Sequence, residues 1–238
     1  LRSTASDEIY NIIRKEILSL EFLPGQELKI NTLCEQLQVS RSPVRDALMK
    51  LSTDGLVDIF PQRGTRVSLI DLQLVEEEKF LRSSLEEKAL IQALSIINEK
   101  DIAKYKTAII NQENLKTNTE LYDFFNSDVS FHKITFDIVN KKECWKLITQ
   151  RCVNYDRVRF LSYKNNKDEK TIIKQHYDII DALNTKNRDI VESVISTHLS
   201  KIDYELNSLF EKHPSFFKAP GKKLKLSLQP AICLMLHR

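Results

Sequence analysis

Four glycines in 238 residues restrict this chain more than any other feature. Sheets with many tight turns need residues that accept positive φ, and glycine supplies most of them. A chain so poor in glycine is expected to be mainly α, with long helices and little sheet. Hydrophobic residues make up 42% and charged residues 29%, the balance of a soluble globular protein. The length suits one large domain or two of ordinary size. No apolar run approaches the roughly eighteen residues of a membrane-spanning helix, so no membrane partner is expected. The four cysteines, Cys34, Cys144, Cys152 and Cys233, show no metal-ligand or disulfide spacing. Free thiols in a cytoplasmic protein are the simplest reading.

Hydropathy along the chain changes period twice. Residues 4–21 place Ile9, Ile12, Ile13, Ile17 and Leu20 at helical spacing, with Ser6 as cap and Asp7 and Glu8 in the first turn. Pro24-Gly25 closes that helix. A short helix over 31–38 and another over 42–54 follow, with Val39-Ser40 between them, Pro43 in a first turn and Gly55 just past the end. Leu56–Phe60 and Thr65–Leu69 then alternate like two strands, with Pro61-Gln62-Arg63-Gly64 as the hairpin tip. From Asp71 the helical period returns in segments 71–97, 100–116, 119–140, 143–164, 169–185 and 187–212. They break at Asn98-Glu99-Lys100, Lys116-Thr117-Asn118, Asn140-Lys141-Lys142 and Tyr163 to Lys167. The expected organisation is a three-helix unit with a two-stranded wing over 1–70, an all-α antiparallel bundle over 71–212, and a tail over 213–238. The tail carries Lys218, Lys222, Lys223, Lys225 and Arg238 with no acid, and reads as loosely ordered or as packed on a neighbouring surface. Its apolar stretch Ala231–Leu236 is too short to span a membrane.

Net charge, +3, says little about a partner. Residues 1–70 hold nine basic and nine acidic residues, so a nucleic-acid face would have to arise from local clustering. Such a cluster exists where the third helix begins. Arg41 and Arg45 lie four apart and share a face. Each guanidinium can grip guanine or a phosphate with two parallel bonds. Ser42 and Lys50 can meet backbone phosphates, Arg63 at the wing tip can enter a minor groove, and Gly64 permits close approach. The same pattern also fits a small helical unit with a solvated basic face.

In the second half, Asp128 and His132 stand at i, i+4, and His176 and His198 each interrupt an otherwise apolar helix. Buried polar groups need partners. One aspartate and three histidines suit zinc, nickel or another first-row divalent ion. An Asp–His pair with two unrelated histidines also fits, and it is the simpler reading of the spacing alone, because long separations between ligands carry little specificity.

The run Leu23-Pro24-Gly25-Gln26-Glu27-Leu28, then Leu37 to Leu48, then Leu51, Asp54-Gly55-Leu56-Val57 and Arg63-Gly64, resembles the GntR family of bacterial regulators. The resemblance implies a winged helix-turn-helix whose Arg41, Ser42, Pro43, Arg45 and wing contact operator DNA. The pattern Arg82-x-x-Leu85-Glu86, Asp128-x-x-x-His132, Gln175-His176-Tyr177-x-x-Ile180-x-Ala182-Leu183 and His198-Leu199 resembles the FCD ligand-sensing domain of the FadR-type subfamily. That resemblance implies a homodimer and a divalent metal ion (zinc first, nickel or manganese as alternatives) held by Asp128, His132, His176 and His198. It also implies a small organic acid as effector, with Arg82 as a contact and Arg157 and Arg159 as weaker candidates. Arg82 also reads as an ion-pair partner of Glu86. The turn at Asn140-Lys141-Lys142-Glu143 departs from the Gly-Asn-Pro of many relatives, and the tail matches nothing in the family. Two rival readings are a metal-dependent hydrolase using the Asp/His3 set and a regulator whose sensor binds no metal. No general base is evident beside the four residues, and an enzyme would leave the winged unit without a role.

Overall fold

The computed structural model describes residues 4–115, 121–166 and 168–219. The expected break at Lys116-Thr117-Asn118, Lys167, Cys233, the stretch Ala231–Leu236 and the rest of the tail from Pro220 lie outside the described residues. The chain forms two compact units, one drawn from Leu1–Glu76 and Glu205–Arg238, the other Glu77–Tyr204.

The first unit opens with α1 (Ala5–Leu18), α2 (Ile30–Leu37) and α3 (Arg41–Thr53). The cap of α1 is Thr4 rather than Ser6. Thr4 Oγ1 accepts from the Asp7 amide at 3.2 Å, and the Asp7 carboxylate accepts from the Thr4 amide at 3.2 Å. An acid three residues after a threonine satisfies two orphan donors at once, and Ser6 has no such partner for the role. The helix stops at Leu18, short of the expected residue 21, and Leu20 takes a left-handed φ of 55°. α2 ends in left-handed Gln38, and Ser40 caps α3 without a side-chain bond. Pro43 is the third residue of α3, where a capping hydroxyl would seek an N–H that proline lacks. Asp54 closes α3, and Gly55 follows at φ 76°. Tyr10 Oη donates to Asp54 Oδ2 at 2.5 Å and fastens α1 to that end.

β1 (Val57–Phe60) and β2 (Gly64–Val67) form the antiparallel wing, with Val57 opposite Val67 and Phe60 opposite Gly64. Gly64 sits at φ 101°, which residues with a Cβ rarely adopt. The segment before α2 adds a bridge the period does not reveal: Glu27 pairs with Arg66, and Leu28 N donates to Thr65 O at 2.8 Å. Ile13, Ile17, Val44, Leu48, Leu51 and Leu56 are sealed from solvent between the three helices and the wing. Burying a side chain of this size contributes roughly 1.5–3 kcal/mol. Ile12 points out, 44% exposed.

The described start of the tail belongs to this unit. A 3-10 turn, Pro214–Phe216, leads Phe217 into a parallel bridge with Ile70. Ile70 N donates to Phe216 O, and Lys218 N donates to Ile70 O, each at 2.9 Å. Phe217 is buried, and Lys218 Nζ reaches Asp71 Oδ2 at 3.3 Å. Of the two readings of the tail, packing on a neighbouring surface is the one residues 213–219 follow.

The remaining helices are α4 (Leu72–Ala93), α5 (Glu99–Glu113), α6 (Leu121–Ile138), α7 (Lys142–Arg151), α8 (Val153–Asn166), α9 (Glu169–Thr185), α10 (Arg188–Leu199) and α11 (Lys201–Lys212). Two expected helices are each split in two. Residues 143–164 break at Cys152, whose neighbours Asn154 Nδ2 and Tyr155 N both donate to the Glu78 carboxylate at 2.8 Å. Glu78 thus caps α8 from another helix, an arrangement local periodicity cannot encode. Residues 187–212 break at Ser200, after Thr197 and Ser200 turn their hydroxyls onto backbone carbonyls. A core of Tyr105, Ile109, Phe131, Ile180, Leu183 and Ile195 ties α5, α6, α9 and α10 together.

Candidate metal centre and nucleic-acid interface

Asp128, His132, His176 and His198 each present one ligand atom, and the four atoms lie within 4.8 Å of one another. α6 supplies the first pair, one turn apart, α9 supplies His176, and α10 supplies His198. Asp128 and His176 are fully buried, and His132 is 3% exposed. His132 Nε2 and His198 Nε2 stand 3.1 Å apart, and His176 Nε2 stands 3.3 Å from Asp128 Oδ1.

The electrostatics favour donor atoms free of protons. Burial alone would raise the Asp128 carboxyl, but the Arg159 guanidinium, with His176 and His132, outweighs it and holds the group well below the usual carboxylate range. Burial lowers His176, and burial with the neighbouring imidazoles lowers His198 further. Two imidazoles whose proton affinity is lowered, the His132 ring and one carboxylate make a donor set suited to a first-row divalent cation. His176 Nε2 is buried, faces Asp128 Oδ1 at 3.3 Å and makes no well-aligned hydrogen bond, which suits a ligand atom.

Arg159 binds Asp128 Oδ2 directly and Asp156 Oδ1 at 3.0 Å, and Tyr163 Oη donates to Asp128 Oδ1 at 3.2 Å. Arg82 Nε donates to Glu86 Oε1 at 2.5 Å, and Glu86 Oε2 meets His132 Nδ1 at 2.7 Å. Arg82 and Arg159 line a cavity of about 20 Å³ with Tyr155, Tyr163, Gln175 and Lys201, bordering His198. Arg157 does not line it. Fully buried, Arg157 donates to Val153 O and Asn154 Oδ1 within α8.

On the first unit, Arg41, Ser42 and Arg45 are exposed on the opening turns of α3, Pro43 is half-buried, and Arg63 and Gly64 are exposed on the wing. Lys50 is also exposed, but its Nζ pairs with Asp7 Oδ1 at 2.6 Å, so its charge is partly spent inside the protein. Met49, 61% exposed, lies one turn beyond Arg45 and was not singled out from sequence.

Residues 5–67 match the model of the family described as bacterial regulatory proteins, gntR family, and residues 80–201 match the FCD domain. The HTH-type transcriptional repressor RspR of Escherichia coli (strain K12) is 30% identical over 212 residues, covering 89% of this chain and 93% of that protein.

The chain belongs to the GntR family.

As a GntR protein with an FCD domain, it is a DNA-binding transcription regulator, and the relatives it matches are regulators rather than enzymes. An uncharacterized HTH-type transcriptional regulator from Streptomyces ambofaciens is 27% identical over 88% of each chain. In fold, this GntR chain is similar to Escherichia coli McbR/YncC, with a TM-score of 0.73 at 17% identity over 89% of this chain and all of that one. A putative GntR regulator from Rhodococcus gives 0.71 at 20% identity, over 87% and 99% of the two chains. FCD domains often hold a metal ion, and the GntR helix-turn-helix binds operator DNA. No described helix is long and apolar enough to cross a membrane.

Sequence reasoning named the four central residues but missed what surrounds them. Glu86 was read only as a partner for Arg82. Gln112 and Tyr163 carried no motif, and Gln175 entered only as the residue before His176 in the FCD pattern, with no role of its own. Their roles depend on which helices meet, which no local pattern records.

Proposed function

We propose that this protein is a sequence-specific operator-binding regulator whose DNA affinity is governed by a small organic acid received at a metal ion in the helical unit, and that it acts as a cytoplasmic homodimer. DNA binding falls to residues 1–70 and sensing to 71–212, with 213–238 as a tail. Arg41, Ser42, Pro43, Arg45, Arg63 and Gly64 meet DNA, with Lys50 in a lesser role because Asp7 holds it. Asp128, His132, His176 and His198 are the metal ligands. Zinc is the first candidate, with nickel and manganese next.

The observation that carries this reading is the convergence of four ligand atoms from α6, α9 and α10 within 4.8 Å, one of them a buried nitrogen with no well-aligned hydrogen bond. A divalent metal bound there would supply a Lewis-acidic anchor for a carboxylate oxygen. Arg82 and Arg159 border the same place and would balance the remaining negative charge, while Arg157 is too engaged within α8 to take part. The adjoining cavity of about 20 Å³ holds roughly one water, so an organic acid must open it. A ligand that enters only an opened state shifts the equilibrium by its differential affinity for that state.

The closeness of Arg159 to Asp128 favours a second reading, in which the arginine neutralises the aspartate and no metal is needed. Elemental analysis of protein purified without chelator separates the two. About one first-row metal per chain supports the first, and none supports the second. Operator fragments selected from random duplexes, then titrated with and without candidate acids, test the regulatory claim. Equal affinity for selected and random DNA would sink it.

A further inference from the structure

Each imidazole of the cluster turns Nε2 to the centre and Nδ1 to an oxygen outside it. His132 Nδ1 meets Glu86 Oε2 at 2.7 Å, His176 Nδ1 meets Gln112 Oε1 at 2.9 Å, and His198 Nδ1 meets Gln175 Oε1 at 3.0 Å. The three oxygens come from α4, α5 and α9. A neutral imidazole has one N–H, and its position decides which nitrogen can ligate a metal. An outer oxygen draws the proton to Nδ1 and leaves the Nε2 lone pair facing inward.

The outer groups are not equivalent. The Glu86 carboxylate, held by Arg82, can only accept, so His132 has a single arrangement. An amide offers an oxygen on one side and an NH2 on the other. Were the Gln112 amide turned over, it would donate to His176 Nδ1 and move the ring proton to Nε2, which faces Asp128 Oδ1 at 3.3 Å. That arrangement satisfies Asp128 but cannot ligate a metal. Phe131 stacks on His176 at 4.0 Å and 13°, which holds the ring plane and leaves proton position as the remaining freedom. Gln112 is 1% exposed, and its Nε2 has no partner in the observed arrangement. With Oε1 toward Nδ1, the Gln112 amide suits the tautomer whose Nε2 can ligate, and the turned amide would suit the other.

We propose that Gln112 and Gln175 are positioning residues that select the ligating tautomer of His176 and His198 and so set the affinity of the cluster for a first-row divalent cation. This rests on the metal reading above. The test uses the full chain, stripped with chelator, titrated with zinc against a chromophoric competitor and with cobalt for its visible spectrum. Gln112→Leu and Gln175→Leu should each weaken zinc binding about 10- to 100-fold and alter the cobalt bands. Gln175→Glu, which keeps an acceptor against His198, should bind at least as tightly as wild type. Should Gln112→Leu fail to fold, judged by circular dichroism, the Gln175 pair decides. Leucine variants that bind zinc as tightly as wild type, with an unchanged cobalt spectrum, overturn the proposal while leaving the metal reading intact. A wild-type protein that takes up neither ion overturns both.

Discussion

Asp128 sits where an ionised carboxylate has no water, and Arg159 is what makes that tolerable. Removing one partner of a buried pair leaves an uncompensated charge, which costs about 3–5 kcal/mol. Arg159→Met should therefore lower the stability of metal-free protein by about that much in a denaturant melt. Zinc should then raise its melting temperature more than it raises that of wild type, because a bound cation replaces the lost charge. A variant as stable as wild type without metal would contradict this account of the pair. Glu78 offers a second residue-level test. Burial pushes its carboxyl up to about 7, despite bonds from Asn154 and the Tyr155 amide that pull the other way. A carboxyl raised in the folded state binds its proton more tightly there than in the unfolded chain. Its contribution is full below the unfolded value near 4.5 and is lost as pH rises through about 7. Wild-type melting temperature, measured with chelator, should fall relative to Glu78→Gln between pH 5 and 8. Parallel profiles would show that Glu78 titrates normally.

Among the elements, α3 is both the most legible and the most consequential. Its start, its buried face and its closing glycine follow from Pro43, the Val44-Ala47-Leu48-Leu51 stripe and Gly55, all local signals. Arg45→Ala should weaken binding to a selected operator by roughly 1–3 kcal/mol and relax base preference, as read by fluorescence anisotropy on operator variants. Lys50→Ala should cost less, since part of its charge serves Asp7; an equal loss would show that the Asp7 pair opens on DNA. Where sequence reasoning failed, distant residues were responsible. The apolar period runs unbroken through Cys152, and nothing in residues 143–164 announces that Glu78 will cap a new helix there. Ser200 is similar, its break depending on hydroxyls that compete for backbone carbonyls. The split at Cys152 matters for the site, because α8 aims Arg159 and Tyr163 at Asp128.

For the molecule as a whole, mainly α architecture was foreseeable from four glycines and the helical period, and the wing from one short change of period. The meeting of His132, His176 and His198 was not foreseeable from spacing, because 43 and 21 intervening residues fix no distance. Only family resemblance joined them, and the fold brings them together. His176→Ala should abolish stoichiometric metal in elemental analysis while leaving the helical circular dichroism signal unchanged. Unaltered metal content would remove His176 from the ligand set. Light scattering of the full chain should give twice the chain mass, as a palindrome-reading pair of recognition helices requires.

The clasp of Phe216 to Lys218 on Ile70 bears on how such proteins can be recombined. A DNA-reading head cut from this gene at residue 70 would leave behind the aromatic plug and two backbone bonds that finish it. Chimaeras that swap heads between relatives would have to carry a short piece from far downstream as well, grafted from the same parent.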